Sequence, residues 1–535
     1  MADRTSKFIL ARDIRLDKEY KNILNYTEQQ MVTLCTNKAV ATGSNLSFIR
    51  EMKNTVDIEV AYGTALTANY IAFQNPDYSN KWFFAFIDDV EYISNASTRI
   101  HFTVDECSTW FSNWTVEPCF VIREHVNLDT VGLNTVPEDL EHGEYIVNTQ
   151  TTDDMMDDIC YIVQATEPYG DDGNATRAWF CGGIANAGVA YYAKYSTDIT
   201  ITNPLLYVID LFADAGKLDK ITNVYIVPQK LLGLTSQSAS WDRTWGNMAP
   251  VTYTLSIAKQ ATINGYTPHN NKLLTKEYNC LVVDNNNGSA NTYAYEDFLG
   301  NDCQFEVSGV PSCGCSVKIV PKSYKGASKF EQEGLVGGKY PTCGWINDQY
   351  TNWLTQQSVN LQNGLISTVA GVAIGAGMIA TGVGAGAGGY LIGSSIGTGV
   401  AGIAGHMVQK FQHQIMPATA EGNINSGDVL TSARKNKFHF LRMSIKLEYA
   451  VQIDRFFDRF GYKVNLLKVP NQTGRTYWNF VQIGEGEDIG HSTNQTIPVP
   501  PKSMEVINQA YRNGVTIWHN HDNIGDYTLN NTIVS

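Results

Sequence analysis

The chain has 535 residues, 43% of them apolar, 11% aromatic and only 17% charged. That much core-forming content specifies two to four folded domains and excludes a disordered chain, which needs low hydrophobicity and high charge. A net charge of -14 excludes general DNA binding through counterion release, which requires the opposite sign.

The N-terminal stretch 1–22 mixes both signs of charge and lacks the apolar core of a secretory signal, so synthesis and folding in a cytoplasm are expected. The ten cysteines lie too far apart for a dense disulfide framework, and reduced thiols are expected. Trp82 to Ile87 (WFFAFI) is apolar on both faces and predicts a strand covered on both sides. In Arg99 to Asp105, Ile100, Phe102 and Val104 alternate with polar residues, the period of a strand with one wet face. Short runs at Cys160 to Val163, Asn223 to Val227, Val251 to Ile257 and Asn279 to Val283 continue the pattern, and Asp284 to Gly288 predicts a hairpin or loop. The expected fold class is therefore mainly β, with several antiparallel barrel-like or sandwich-like domains and few helices.

Asp153, Asp154, Asp157 and Asp158 lack the ligand spacing and glycine of a calcium loop and read as a solvated surface turn. Gly334 to Tyr340 lacks phosphate-loop spacing and reads as a glycine turn. Ser444 to Phe460 sets Ile445, Tyr449, Ile453, Phe456 and Phe460 three and four apart and stops at Gly461, which predicts a helix with a glycine C-cap. These shifts divide the chain into an N-terminal β domain (1–150), a middle β-rich domain (151–348), an insertion (349–425) and a C-terminal segment of helix plus strands (426–535).

The insertion is the departure from the average. From Gln349 to Gln409, 61 residues pass without an Asp, Glu, Lys or Arg, and 14 of the 42 residues from Gly364 to Gly405 are glycine. Glycine at that density costs an isolated helix in water about 1 kcal/mol per residue relative to alanine. In a bilayer the backbone is driven to pair its own polar groups, and Leu361 to Val408 is long enough for two spans joined at Gly388-Gly389-Tyr390. The apolar residues that would face lipid are Leu361, Leu365, Ile366, Val369, Val372, Ile374, Met378, Ile379, Val383, Tyr390, Leu391, Ile392, Ile396, Val400, Ile403, Met407 and Val408. Gly371 with Gly375, Gly382 with Gly386, and Gly389 with Gly393 and Gly397, supply small faces on which helices associate. A buried hairpin would need bulkier side chains to fill volume, a linker would pair glycine with polar residues, and a constitutive anchor would carry flanking Lys and Arg. Conditional membrane insertion is the reading that remains.

No catalytic constellation emerges. Gly393-Ser-Ser395-Ile-Gly397 matches a nucleophile elbow in form, but no strand-turn-helix pattern or positioned His and acid accompanies Ser395. Gly384 to Gly389 and Gly397 to Gly402 match the dinucleotide pattern inside a glycine-rich tract, where chance matches are expected. Cys303, Cys313, Cys315 and Cys343 lack the usual zinc spacing, and His519 with His521 lacks a third ligand. No enzyme activity, cofactor or metal is expected.

Three stretches then stand out together: Asn69 to Tyr92 (NYIAFQNPDYSNKWFFAFIDDVEY), Thr98 to Phe111 (TRIHFTVDECSTWF) and Cys119 to Asn134 (CFVIREHVNLDTVGLN). With Pro137 to Val147 (PEDLEHGEYIV) and Ile453 to Asn465 (IDRFFDRFGYKVN), they resemble the tail knob, or distal tail tube, proteins of the small short-tailed phages of the phi29 group. The resemblance implies a ring of six subunits whose β domains build a tube at the tail tip, in contact with other tail proteins and assembled in the host cytoplasm. It further implies that Gln349 to Gln409 is a loop held in the lumen until ejection, when it enters the host membrane and opens a passage for double-stranded DNA. Net acidity suits a conduit, because acidic walls repel phosphate. The rival readings are a tail-associated hydrolase of cell wall or lipid, and a structural or receptor-binding tube with no membrane step. His406 and His413 border the tract, where a fall in pH would charge them.

Overall fold

The computed structural model describes residues 6–44, 47–48, 54–75, 79–153, 159–170, 178–181, 184–194, 204–232, 241–244, 247–248, 252–313, 315–325, 334–340, 342–343 and 436–534. They belong to two units. The first joins Met1–Gly143, Tyr266–Leu273 and Leu447–Ser535, and the second joins Glu144–Gly265 and Leu274–Lys446. Segment 426–535 therefore contributes to both units, and a short piece at 266–273 returns to the first.

The first unit carries a seven-stranded sheet in the order Ala39–Ser44, Lys7–Ala11, Tyr70–Asn75, Lys81–Ser94, Ser97–Val104, Thr55–Ile58, Ser47–Phe48, every neighbour antiparallel. The alternation in the sequence sets its faces: Thr98, Ile100 and Phe102 are buried while Thr103 is exposed. Phe83 to Phe86 are buried on both faces, and the same strand turns polar and exposed beyond Ile87, where its pairing slips past a bulge. A five-stranded sheet follows in the order Asn22–Leu24, Val515–Trp518, Trp478–Ile483, Cys119–Glu124, Tyr462–Lys468. Trp478 and Trp518 lie in its core with ring centroids 5.1 Å apart.

The helix runs Leu447–Phe460 and ends as expected at Gly461, at φ 65°, whose N–H donates to Phe457 O at 2.8 Å. A Cβ at Gly461 would stand 2.1 Å from Glu124 O, so close approach as well as backbone conformation requires glycine. The N-terminal edge differs from the sequence expectation. Ser444 and Ile445 belong to the strand Phe438–Ile445, and the buried face of the helix is Ala450, Ile453, Asp454 and Phe457. Tyr449, Phe456 and Phe460 border that face, half-buried.

The second unit contains a four-stranded sheet (Tyr145–Asp153, Phe438–Ile445, Asn279–Asp284, Ala290–Ala294), a five-stranded sheet (Trp241–Thr244, Val189–Lys194, Ile159–Ala165, Ile221–Pro228, Thr342–Cys343) and another of four strands (Tyr253–Ala258, Asp302–Gly309, Ser316–Lys322, Leu335–Lys339). Its core is aliphatic and aromatic, with Tyr293, Phe298, Phe305 and Phe440 in edge-to-face and tilted contacts. The expected turn after Asn279–Asp284 is present, with Asn286 and Gly288 at φ 53° and 83°. The fold class is thus mainly β, built from antiparallel sheets with few helices; each sheet's pairing order runs from one edge strand to another.

Two expectations are corrected in this unit. Gly334 to Tyr340 is not a turn: Leu335–Lys339 is a strand antiparallel to Ser316–Lys322, and its glycines allow close approach of Lys318 and Asn436. Asp153 does not sit on a solvated turn. It ends the strand Tyr145–Asp153, is buried, accepts a hydrogen bond from the Tyr253 hydroxyl at 2.8 Å and pairs with Lys230 at 3.6 Å. Asp154, Asp157 and Asp158 lie outside the described residues.

Candidate functional site

The candidate functional element is the place in the second unit where the uncharged tract is rooted. The strand Leu335–Lys339 is held to Ser316–Lys322 by the register Ser316↔Lys339, Lys318↔Val336 and Ile319↔Leu335. Asn285 Nδ2 donates to Val336 O at 2.8 Å, tying that strand to the loop after Asn279–Asp284. Thr342 and Cys343 then add to the edge of Ile221–Pro228. On the return side, Asn436 Nδ2 donates to Lys339 O at 3.0 Å, and the strand Phe438–Ile445 enters the four-stranded sheet between Tyr145–Asp153 and Asn279–Asp284. A Cβ on Gly338 would lie 2.1 Å from Asn436 Oδ1, so glycine permits this clasp. Lys339 and Asn436, described residues on either side of the tract, thus meet at one spot.

Residues 344–435 lie outside the described residues, and with them every tract residue named above, from Leu361 to Val408, the glycines Gly371 to Gly397, the formal elbow at Ser395, and His406 and His413. Among the described residues no helix is long and apolar enough to cross a membrane. Among them, too, no group of three His, Cys, Asp or Glu side chains is arranged to hold a metal ion. His519 and His521 are each engaged separately: His519 Nε2 lies 3.1 Å from Asn479 Oδ1, and His521 Nε2 accepts from Arg15 N–H at 3.1 Å.

The sequence reading missed a buried polar network in the first unit that fastens 266–273 to the helix Leu447–Phe460. The fully buried Asp454 carboxylate accepts from the Tyr266 hydroxyl at 2.6 Å, His269 N–H at 2.8 Å, Asn270 N–H at 3.1 Å and Asn270 Nδ2 at 2.8 Å. Burial and Asp454 push the Tyr266 phenol above its usual range, which keeps it a donor. Glu138 takes Arg123, Lys272 and, at 2.9 Å, Lys463 N–H; the side chains of Glu138 and Lys272 are completely buried. His125 Nδ1 accepts from Phe480 N–H at 2.7 Å, while its Nε2 donates to Asp458 O at 3.1 Å. Burial, with Arg475 nearby, pushes the His125 pKa down to about 3, so the ring is neutral, in keeping with both bonds. The one sequence signal was an Asp on the apolar stripe, four residues after Ala450 and three before Phe457. These carboxylates each accept several donors, an arrangement that holds chain segments together.

Comparison with known proteins agrees with a structural role. Residues 244–532 match the family model described as the C-terminal domain of the Bacillus phage phi29 tail knob protein gp9, and residues 4–115 match a model of the caudoviral major tail protein N-terminus. The tail knob proteins gp9 of Bacillus phages PZA and phi29 are each 25% identical, with 99% of this chain and 98% of theirs covered. That of Bacillus phage B103 is 23% identical over 87% of this chain and 88% of its own. The solved tail knob protein gp12 of bacteriophage C1 shares the fold, with a TM-score of 0.65, 15% identity, and 99% of this chain and 100% of that one covered. The chain belongs to the phage tail knob protein family and is a structural protein of a phage tail.

Proposed function

We propose that this chain forms the wall of a conduit at the virion tail tip, as a ring of six copies assembled in the host cytoplasm, and that it has no catalytic activity. In this reading the uncharged tract closes the lumen until ejection, then enters the host membrane as paired helices and admits double-stranded DNA without binding its sequence. The observation that carries the reading is a tract of 61 residues without charge, set between Lys339 and Asn436, which are hydrogen-bonded to each other, on an otherwise acidic, β-rich chain. Self-association has support in the first unit. Tyr462–Lys468 is an edge strand whose Leu466 and Leu467 are 57% and 72% exposed, beside Phe120 at 39%. Net charge supports passage over retention of phosphate.

The test is dye release from liposomes by the full chain and by a version lacking 361–408, a deletion that leaves Lys339 and Asn436 in place. The full chain is expected to release dye and the deleted version to fall to background. Equal release by both assigns membrane activity elsewhere, and no release by either under ejection-like conditions leaves a structural tube without a membrane step.

A further inference from the structure

The loop between the paired strands Asn279–Asp284 and Ala290–Ala294 is organised by one side chain. Asn285 is buried; its Oδ1 accepts from Asn287 N–H at 2.9 Å and Ser289 N–H at 3.0 Å, and its Nδ2 donates to Val336 O at 2.8 Å. The two donors that fix its carbonyl thus stand on either side of the Asn287–Gly288 peptide link, and the amide they orient holds the strand Leu335–Lys339. Outward the link is bare: Asn287 and Gly288 are exposed, and a Cβ on Gly288 would meet nothing within 4 Å. Among the described residues none accepts from the Gly288 N–H and none bonds the Asn287 side chain. The same dipeptide recurs at Asn264-Gly265, Asn363-Gly364 and Asn513-Gly514. Asn513 ends the helix Pro501–Asn513 with its Oδ1 accepting from Gln509 Nε2 at 2.9 Å, and Gly514 N–H donates to Tyr511 O at 3.2 Å. Asn264 is held at φ 47°, in the narrow left-handed well, and Asn363 and Gly364 lie outside the described residues.

We propose that Asn287-Gly288 is a self-modification site, where Asn287 becomes isoaspartate with water as the only co-reactant, and that the product weakens the hold of Asn285 on Val336. The Gly288 nitrogen loses its proton to solvent and attacks Asn287 Cγ. The bond from Cγ to the side-chain nitrogen breaks, ammonia leaves with a proton from solvent, and a succinimide ring is closed. Water then opens the ring: cleavage at Cγ gives aspartate, and cleavage at the Asn287 main-chain carbonyl gives isoaspartate. One side-chain amide and one water become one carboxylic acid and one ammonia, with no change in oxidation state. Glycine suits the attacking position because it has no Cβ to crowd the approach to Cγ. At Asn513 the same attack would first have to break the Gly514 bond to Tyr511 O. Isoaspartate carries the chain through its own Cβ and Cγ, which lengthens the link between the donors at Asn287 and Ser289 and adds a negative charge to the loop. Their joint hold on Asn285 Oδ1 depends on an ordinary peptide spacing, so the longer link displaces one of them. The Asn285 amide is planar, and Nδ2 turns away from Val336 O as its carbonyl turns. The reaction needs no enzyme and advances with time, so a stock of this protein accumulates chains in which the strand leading to Lys339 is less firmly held.

The full chain is aged at pH 7 and pH 9 beside a fresh control and cut with chymotrypsin; cleavage after Tyr278, Tyr293, Tyr511 and Trp518 gives the peptides 279–293 and 512–518. Electron-transfer fragmentation, which breaks the Cα–Cβ bond that isoaspartate places in the backbone, locates the product. Peptide 279–293 is expected to gain the mass of NH2 exchanged for OH, with isoaspartate at 287 exceeding aspartate. Conversion should be faster at pH 9, because the glycine nitrogen must lose a proton, while 512–518 keeps its amide. An intact amide at 287 after ageing at pH 9, or conversion at Asn286 in its place, overturns the site. Equal loss at Asn513 overturns its selection by the fold. Amide exchange in Leu335–Lys339 is expected to rise about tenfold in the aged chain and to stay unchanged in equally aged Asn287→Gln, whose longer side chain closes the ring poorly. Asn287 is exposed, so this substitution leaves the fold intact. A rise in both chains, or in neither, overturns the link to Val336. None of these readouts depends on membrane activity, so their failure is distinct from failure of the conduit reading.

Discussion

The two units hold themselves together by different chemistry. The first buries Lys81, Asp105, Glu124, Glu138, Lys272, Asp454 and Arg475, whereas in the second the described buried residues include one charged side chain, Asp153. The second relies on apolar burial, worth roughly 25 cal/mol per Å² and indifferent to direction. In the first, segments distant in sequence are fastened by groups that accept only particular partners: Glu138 requires Lys272 and Arg123, and Asp454 requires 266–270. The contrast teaches that the first unit is built for a unique arrangement of returning segments, and the second for bulk cohesion. Damage should therefore be abrupt in the first and graded in the second.

The largest expected effect is in the first unit. Lys272→Met removes a cation from a fully buried carboxylate and is expected to cost about 3–5 kcal/mol, read as a lowered urea midpoint and faster amide exchange in Trp478–Ile483. Adding Glu138→Gln should recover part of it, because a carboxamide needs no cation yet still accepts from Lys463 N–H. If Lys272→Met alone costs under about 1 kcal/mol, polar fastening is not what distinguishes the first unit. In the second, Ile319→Ala should cost about 2–5 kcal/mol and Ile319→Val about 1, a grading by cavity size that the same denaturation series measures.

The pH response sharpens the contrast. His125 is depressed to about 3 in the folded chain, against an ordinary value near 6.5, so between those limits the unfolded chain binds the extra proton. Stability from this group therefore rises with pH across that window, by up to about 1.4 kcal/mol per unit, and is fully present above it. Asp105, raised by burial, opposes it: its folded form holds a proton longer, so its contribution falls as pH rises past the ordinary carboxylate value. Urea midpoints of wild type and His125→Gln from pH 3 to 7 should diverge in slope, and parallel slopes would remove His125 from the account. The smallest effect is expected for Leu467→Ser, within about 0.5 kcal/mol on stability because the side chain is exposed. Sedimentation should nevertheless show weaker self-association, and an unchanged distribution excludes that edge from the subunit contact.

The part of this fold visible in the sequence is the part encoded locally. Ile100 and Phe102 announce their strand by period two, Phe83 to Phe86 by apolar continuity, and Gly461 ends its helix through a conformation that other side chains resist. What was missed is encoded in pairs. Nothing near Tyr145–Asp153 announces that its partner is Phe438–Ile445, and Asp153 among other acids looks like surface until Tyr253 and Lys230 are placed beside it. Asp454 interrupts an apolar stripe, but only the returning 266–270 segment makes burial of a carboxylate affordable. For the candidate site, composition exposed the tract, whereas the clasp at Lys339 and Asn436 depends on one glycine-permitted approach, at Gly338, without periodicity.

One pairing has a consequence for the order of events on the ribosome. Asn22–Leu24 lies parallel to Val515–Trp518, and Trp518 Nε1 donates to Asn22 Oδ1 across a sequence separation of 496, so the first unit's five-stranded sheet joins strands made far apart in time. Synthesis at about 5–20 residues per second separates those two strands by tens of seconds, during which the Gly-rich tract has already emerged. The nascent chain must carry its uncharged, Gly-rich segment before the unit that finishes later can close, and such long-range closure is intrinsically slow. A cell producing this protein is thus expected to depend on holding the chain open until Val515–Trp518 arrives, and truncation anywhere before Val515 should leave the tract attached to a half-built fold.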